Sequence, residues 1–211
     1  MNKFRLFIIL AILSGCQLNS SKTNGSSDTS LPDSNSLNID SAGNPIHLIT
    51  TQDSAKIKLL LKSFKITKDE FDVDDKQWVR PIDEPHYVNR NGIYSYFQSN
   101  EGVASNLRFV IQYYNDDWLF IQKYQFSIDG KAYEYIPNKV ETDSGDGGMI
   151  WEWFDDQADE NLKKIMEAIV KSKTTKIKMI GNQYFDIKTV TSKQKESIRK
   201  TLELYKLQGG N

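Results

Sequence analysis

Two tryptophans bracket a glutamate at Trp151-Glu152-Trp153, and Asp155 and Asp156 follow within three residues. A glycoside hydrolase needs two carboxyls held at a fixed separation around the scissile bond, one as acid and one as base or nucleophile. Glu152 with Asp155 or Asp156 is therefore the candidate for such chemistry, as a cell-wall carbohydrate-active hydrolase, and Trp151 and Trp153 are the candidate ligand contacts. Carboxylates a few residues apart are common without catalysis, however. Strand alternation also puts both indoles on one face, where a core role comes first. The leading reading is noncatalytic and assigns no catalytic residue. It expects Glu152→Gln to keep the fold and to abolish no turnover.

The other reactive side chains form no set. His47 stands between apolar Ile46 and Leu48, and His86 follows Asp83-Glu84-Pro85 in an expected loop. The runs Lys68 to Asp75 and Asp143 to Gly148 are acidic, but neither fits the pattern of glycine and terminal bidentate glutamate, each at its position, that a calcium loop requires. A small-ligand or cation-binding domain is a further alternative. HExxH, GxSxG and GxxxxGK[ST] are absent. No metal ligand set and no cofactor is assigned.

The only cysteine, Cys16, closes the stretch Leu13-Ser14-Gly15-Cys16. Lys3 and Arg5 precede it, with an unbroken apolar run from Leu6 to Leu13. As a helix that run is about 12 Å long, far short of a bilayer core, but it suits the apolar part of an export signal. The segment resembles the signal and lipobox of bacterial lipoproteins. The resemblance covers the targeting segment alone. It implies diacylglyceryl transfer to the Cys16 thiol, cleavage before it and a lipid anchor, with residues 1–15 lost as signal peptide. Palmitate is a typical acyl group of such anchors. Gln17 resembles the outer-membrane sorting state of didermal members. The implied localisation is the cell envelope, at the outer membrane in a didermal organism, with the membrane as a partner through Cys16.

Residues 16–43 then form the lipidated cysteine and a tether. Eight of residues 17–43 are Ser, none is aromatic, and the few leucines are too scattered to bury a face. As a flexible coil this length spans roughly 30 Å. Residues 44–211 read as a single domain.

The chain has 211 residues and is 38% hydrophobic and 26% charged, enough for a core. Its net charge is −1, so no basic excess supports nucleic acid as a partner. The charge is divided, however. Residues 44–159 hold 12 basic and 20 acidic groups, and residues 160–211 hold 12 and 5. Lys171, Lys173, Lys176 and Lys178 cluster around one connection. Basic helices lying near an acidic sheet side would account for this. So would a patch meeting a headgroup, an acidic protein face or an anionic cell-wall polymer.

Period separates the elements. Asp53 to Phe64 fits a helix better than a strand. Asn106 to Tyr114, Trp118 to Ile128 and Lys131 to Ile136 alternate as a three-stranded meander turning at Asn115-Asp116 and Asp129-Gly130, and Gly92 to Gln98 can add a fourth strand. Asn138 to Gly148 reads as a loop. Leu162, Ile165, Met166, Ile169 and Val170 mark a helix capped by Asp156 or Asp159. A hairpin follows over Thr175 to Val190, turning at Gly181-Asn182. The last helix starts at Thr191 or Ser192, with capping-box form to Gln194, and turns Ile198, Leu202 and Tyr205 inward. The expected fold is α+β, an antiparallel sheet with helices packed on one face. The expected function is that of a lipid-anchored cell-envelope protein, acting as a noncatalytic protein-binding or accessory module.

Overall fold

The computed structural model describes residues 51–211. Cys16, the lipobox, the tether of residues 17–43 and His47 lie outside the described residues. The element order is α1 (Thr51–Leu61), β1 (Phe64–Lys68), β2 (Gln77–Pro81), β3 (Gly92–Asn100), β4 (Val103–Asn115), β5 (Lys123–Ile128), β6 (Lys131–Tyr135), β7 (Glu141–Ser144), β8 (Ile150–Gln157), α2 (Glu160–Lys171), β9 (Thr175–Ile180), β10 (Phe185–Thr189) and α3 (Ser192–Leu207). A short 3-10 turn, Asp146–Gly148, separates β7 from β8.

The strands make two antiparallel sheets, a larger one in the order β1-β2-β3-β4-β8-β7 and a smaller one in the order β10-β9-β5-β6. Alternation on β4 sends Leu107, Phe109, Ile111 and Tyr113 to an inner face, where they meet Tyr124, Phe126, Ile177 and Met179 of the smaller sheet. Helix α3 lies against β3 and β4 on this side, with α1 and α2 beside it. The fold is α+β, with the helices on the inner face of the larger sheet. Residues 51–211 thus carry their own core, as an independently folding unit must.

Local chemistry accounts for the helices. Asp159 accepts the Leu162 N–H at 2.7 Å and starts α2. Leu162, Ile165, Met166 and Ile169 are each fully buried along one stripe, and each such residue contributes about 1.5–3 kcal/mol. Thr191 and Gln194 close a capping box at the start of α3, and Ile198, Leu202 and Tyr205 are buried. Helix α1 ends at Leu61, earlier than its apolar spacing suggests, and Phe64 opens β1 instead.

The three-stranded meander is not formed. β5 and β6 pair as expected through Asp129 and Gly130, both at positive φ as a type I′ turn requires. β4 and β5, however, belong to different sheets. The backbone N–H groups of Leu119, Phe120 and Ile121 donate to the Glu152 carboxylate rather than to a neighbouring strand, so residues 118–122 cross between the sheets as a loop. Gly181 lets the β9–β10 turn meet this loop: a Cβ there would fall 1.9 Å from the Leu119 carbonyl oxygen. The Asn182 N–H donates to that oxygen at 3.1 Å. The expected loop over 138–148 contains edge strand β7. β1 and β2 carry no clear period and appear only in the structure.

Candidate functional site

Strand β8 divides the candidate residues between two faces. Ile150, Glu152, Phe154 and Asp156 point inward and are buried; Trp151, Trp153 and Asp155 point outward and are half-buried. Glu152 therefore lies on the opposite side of the sheet from Asp155, and the two cannot flank one substrate from this strand. Glu152 and Asp156 share the inner face, and structural donors occupy both.

Glu152 is fully buried. Its Oε1 accepts the N–H groups of Leu119 at 2.7 Å and Phe120 at 2.9 Å, and its Oε2 accepts that of Ile121 at 2.7 Å. Phe120 sits at a φ of 53°, which turns successive N–H groups toward one point. Such a concavity binds anions, and here the anion is the protein's own side chain. Asp156 accepts the Tyr135 hydroxyl at 2.6 Å and the Asn138 N–H at 3.0 Å, tying the end of β6 to β8. The expectation that Glu152→Gln leaves the fold untouched does not fit this geometry. An amide keeps one acceptor oxygen and puts a donor against backbone donors.

The outward residues share their face with a second cluster. Tyr94, Tyr96 and Val110 are buried on the outer face of the larger sheet, with Trp78 against them. The register adds Tyr114 and Trp151, directly opposed across β4 and β8, and Trp153 opposite Gln112. The Tyr114 and Trp151 rings are 6.5 Å apart. Among the described residues, apolar side chains of α1, α2 and α3 join the inner cluster instead, and none joins this one. Trp151 and Trp153 thus stand apart from the core, contrary to the core-first expectation.

Charges on this face are matched. Arg80 donates to Glu84 at 2.7 Å and lies 3.8 Å over the Tyr96 ring. The Tyr96 hydroxyl donates to Asp155 at 2.5 Å, and Arg108 donates to the same carboxylate at 2.6 Å. Desolvation, then the hydrogen bond to Asp155, pushes the Tyr96 phenol up to about 12. Among the described residues, Trp151 Nε1 and Gln112 Oε1 find no hydrogen-bond partner although both atoms are buried.

The remaining candidates stay separate. His86 is exposed and packs edge-on against Tyr87 at 4.3 Å, while Asp83 binds Ser197 and Glu84 binds Arg80. In the acidic run, Asp69 and Asp72 accept backbone N–H groups two residues on, and Asp74 pairs with Lys76. Among the described residues no three His, Cys, Asp or Glu side chains gather as a metal-ligand set. No helix among them is long and apolar enough to cross a membrane.

The basic segment 160–211 is only partly matched inside the protein. Lys206 and Lys171 meet Glu167, and Arg199 meets Glu196 and Glu203. Among the described residues, no carboxylate pairs with Lys176 or Lys178, while the neighbouring Lys188 and Lys123 are taken up by Asp186 and Glu134. The outer cluster around Tyr94, Tyr96 and Arg80 was not anticipated from the sequence. The alternation of Tyr94 and Tyr96 against Ile93 and Phe97 was the available signal.

No family model, curated protein or solved structure matches the chain.

Proposed function

We propose that this is a lipid-anchored cell-envelope protein acting as a noncatalytic binding module, and that it engages a protein partner through the outer face of the larger sheet. The observation carrying the reading is the split on β8: Glu152 and Asp156 turn inside to hold backbone and tyrosine donors, while Trp151 and Trp153 turn outward beside Tyr114. Trp, Tyr and Arg are the residues enriched at the energetic centres of protein interfaces. This face combines them with charges already neutralised by one another. An anionic polymer would find no net attraction there. Anchoring rests on the Leu13-Ser14-Gly15-Cys16 segment. Two or three acyl chains suffice for stable attachment.

Two measurements test the two halves. Mass spectrometry of the mature N-terminus should find acyl chains on Cys16, absent in Cys16→Ser; an unacylated wild-type chain would contradict the anchor. For binding, Trp151→Ala and Trp153→Ala should lose crosslinked partner in intact cells while keeping native circular dichroism. Undiminished capture by both folded variants would contradict the recognition face.

A further inference from the structure

We infer that the outer face of the smaller sheet is a contact surface for an anionic lipid bilayer. The inference rests on the envelope reading above but uses a different face. Phe185 is 57% exposed, Ile187 49% and Tyr184 64%. The 118–122 loop is bonded to the same β9–β10 turn, so Phe120, 51% exposed, stands at the same end. Lysines lie behind this apolar tip. The register places Lys178 opposite Ile187 and Lys176 opposite Thr189. Along a strand each two-residue step is about 7 Å, so Lys176 stands one such step further from the tip than Lys178.

The pattern of one apolar end with lysines behind it matches a headgroup boundary: rings enter the acyl edge and ammonium groups remain with the phosphates. Lys178 bends over the Phe185 ring at 4.1 Å, joining the two parts. The carboxylate on this face, Glu134, already binds Lys123 and Gln125, so Lys176 and Lys178 remain available to anions. A shallow concavity of about 440 Å³ lies between Tyr133, Ile187 and these lysines.

Other occupants fit less well. Lysine is depleted at protein interfaces, whereas the negative surface of an anionic leaflet attracts it. A second copy could add to β10, which is an edge strand. Yet Asp186 and Lys188, paired at 2.7 Å, occupy its inward positions opposite Met179 and Ile177. Charges turned inward on an edge are a device against strand addition. A polyanion alone would leave the exposed rings unused.

The test uses the chain from Gln17 onward, without lipid, and flotation with vesicles. Binding is expected with phosphatidylcholine and phosphatidylglycerol in roughly equal amounts, and little with phosphatidylcholine alone. Each lysine near such a surface is worth about a fivefold change, so Lys176→Gln with Lys178→Gln should weaken binding on the order of thirtyfold. Phe185→Ser should weaken it with circular dichroism unchanged, and high salt should do the same to the wild type. Equal binding to neutral and anionic vesicles, or an unaffected double variant, would overturn the inference. So would binding of soluble polyphosphate without binding of vesicles. The anchor is read independently: vesicle binding by a chain whose Cys16 proves unacylated would remove the anchor and keep this surface.

Discussion

Glu152 does the work of a strand neighbour: one carboxylate serves three consecutive backbone donors that no ladder reaches. Hydrogen bonds to a charged group contribute about 1.5–3 kcal/mol each and are costly to leave half-made when buried. Glu152→Gln is therefore expected to destabilise the domain by about 3 kcal/mol or more, read as a lower denaturation midpoint. A change under about 1 kcal/mol would contradict the structural role. The neighbouring positions give a sharper contrast. Phe154 is fully buried between Phe109, Tyr124 and Tyr135. Phe154→Ala should cost about 3–5 kcal/mol, and half-buried Trp153→Ala only about 1–2. Equal losses in urea unfolding would place Trp153 in the core. The sequence could not decide this because both phases of β8 are apolar: Ile150 and Phe154 in one, Trp151 and Trp153 in the other. The Glu152 partners were also hidden, since backbone N–H groups leave no mark in residue type.

At the scale of elements, α2, the α3 cap and the Asp129-Gly130 hairpin were legible because their signals are local: a side-chain cap, a 3.6-residue stripe and a turn needing positive φ. The assignment of β4 and β5 to separate sheets was not. Continuous alternation from Trp118 to Ile128 looks like one strand, and only a long-range carboxylate interrupts it. Helix α3 is also fastened by ion pairs that period does not reveal. Glu203 accepts from Lys56 of α1 and from Arg199, and Glu167 of α2 accepts from Lys206. The hydrogen bond from Lys56 first, and that from Lys206 first, hold these two carboxyls below the ordinary 4.5. A depressed carboxyl stabilises the folded state above its unfolded pKa, and that contribution goes as pH falls through the folded one. Stability from these pairs should be flat above about pH 5 and decline below 4.5. Lys56→Met with Lys206→Met should flatten that decline; an unchanged acid profile would show the pairs to be idle. Both are partly exposed, so the effect is screened and small.

Across the whole molecule, the architecture separates three kinds of surface. The inner face is consumed by helices and the smaller sheet. The outer face of the larger sheet offers Trp, Tyr and paired Arg, and the outer face of the smaller sheet offers lysine and exposed rings. The charge asymmetry read from the sequence has two outcomes here: Arg199 and Lys206 are matched internally, while Lys176 and Lys178 are not. The most direct measurement of the central claim is photo-crosslinking in intact cells, with a photoreactive side chain at position 153 and a control at position 73, where Val73 is 97% exposed. A discrete protein adduct is expected from position 153, absent from position 73 and lost in Trp151→Ala. The same adducts from both positions, or none from position 153 in a folded and correctly localised chain, would contradict it.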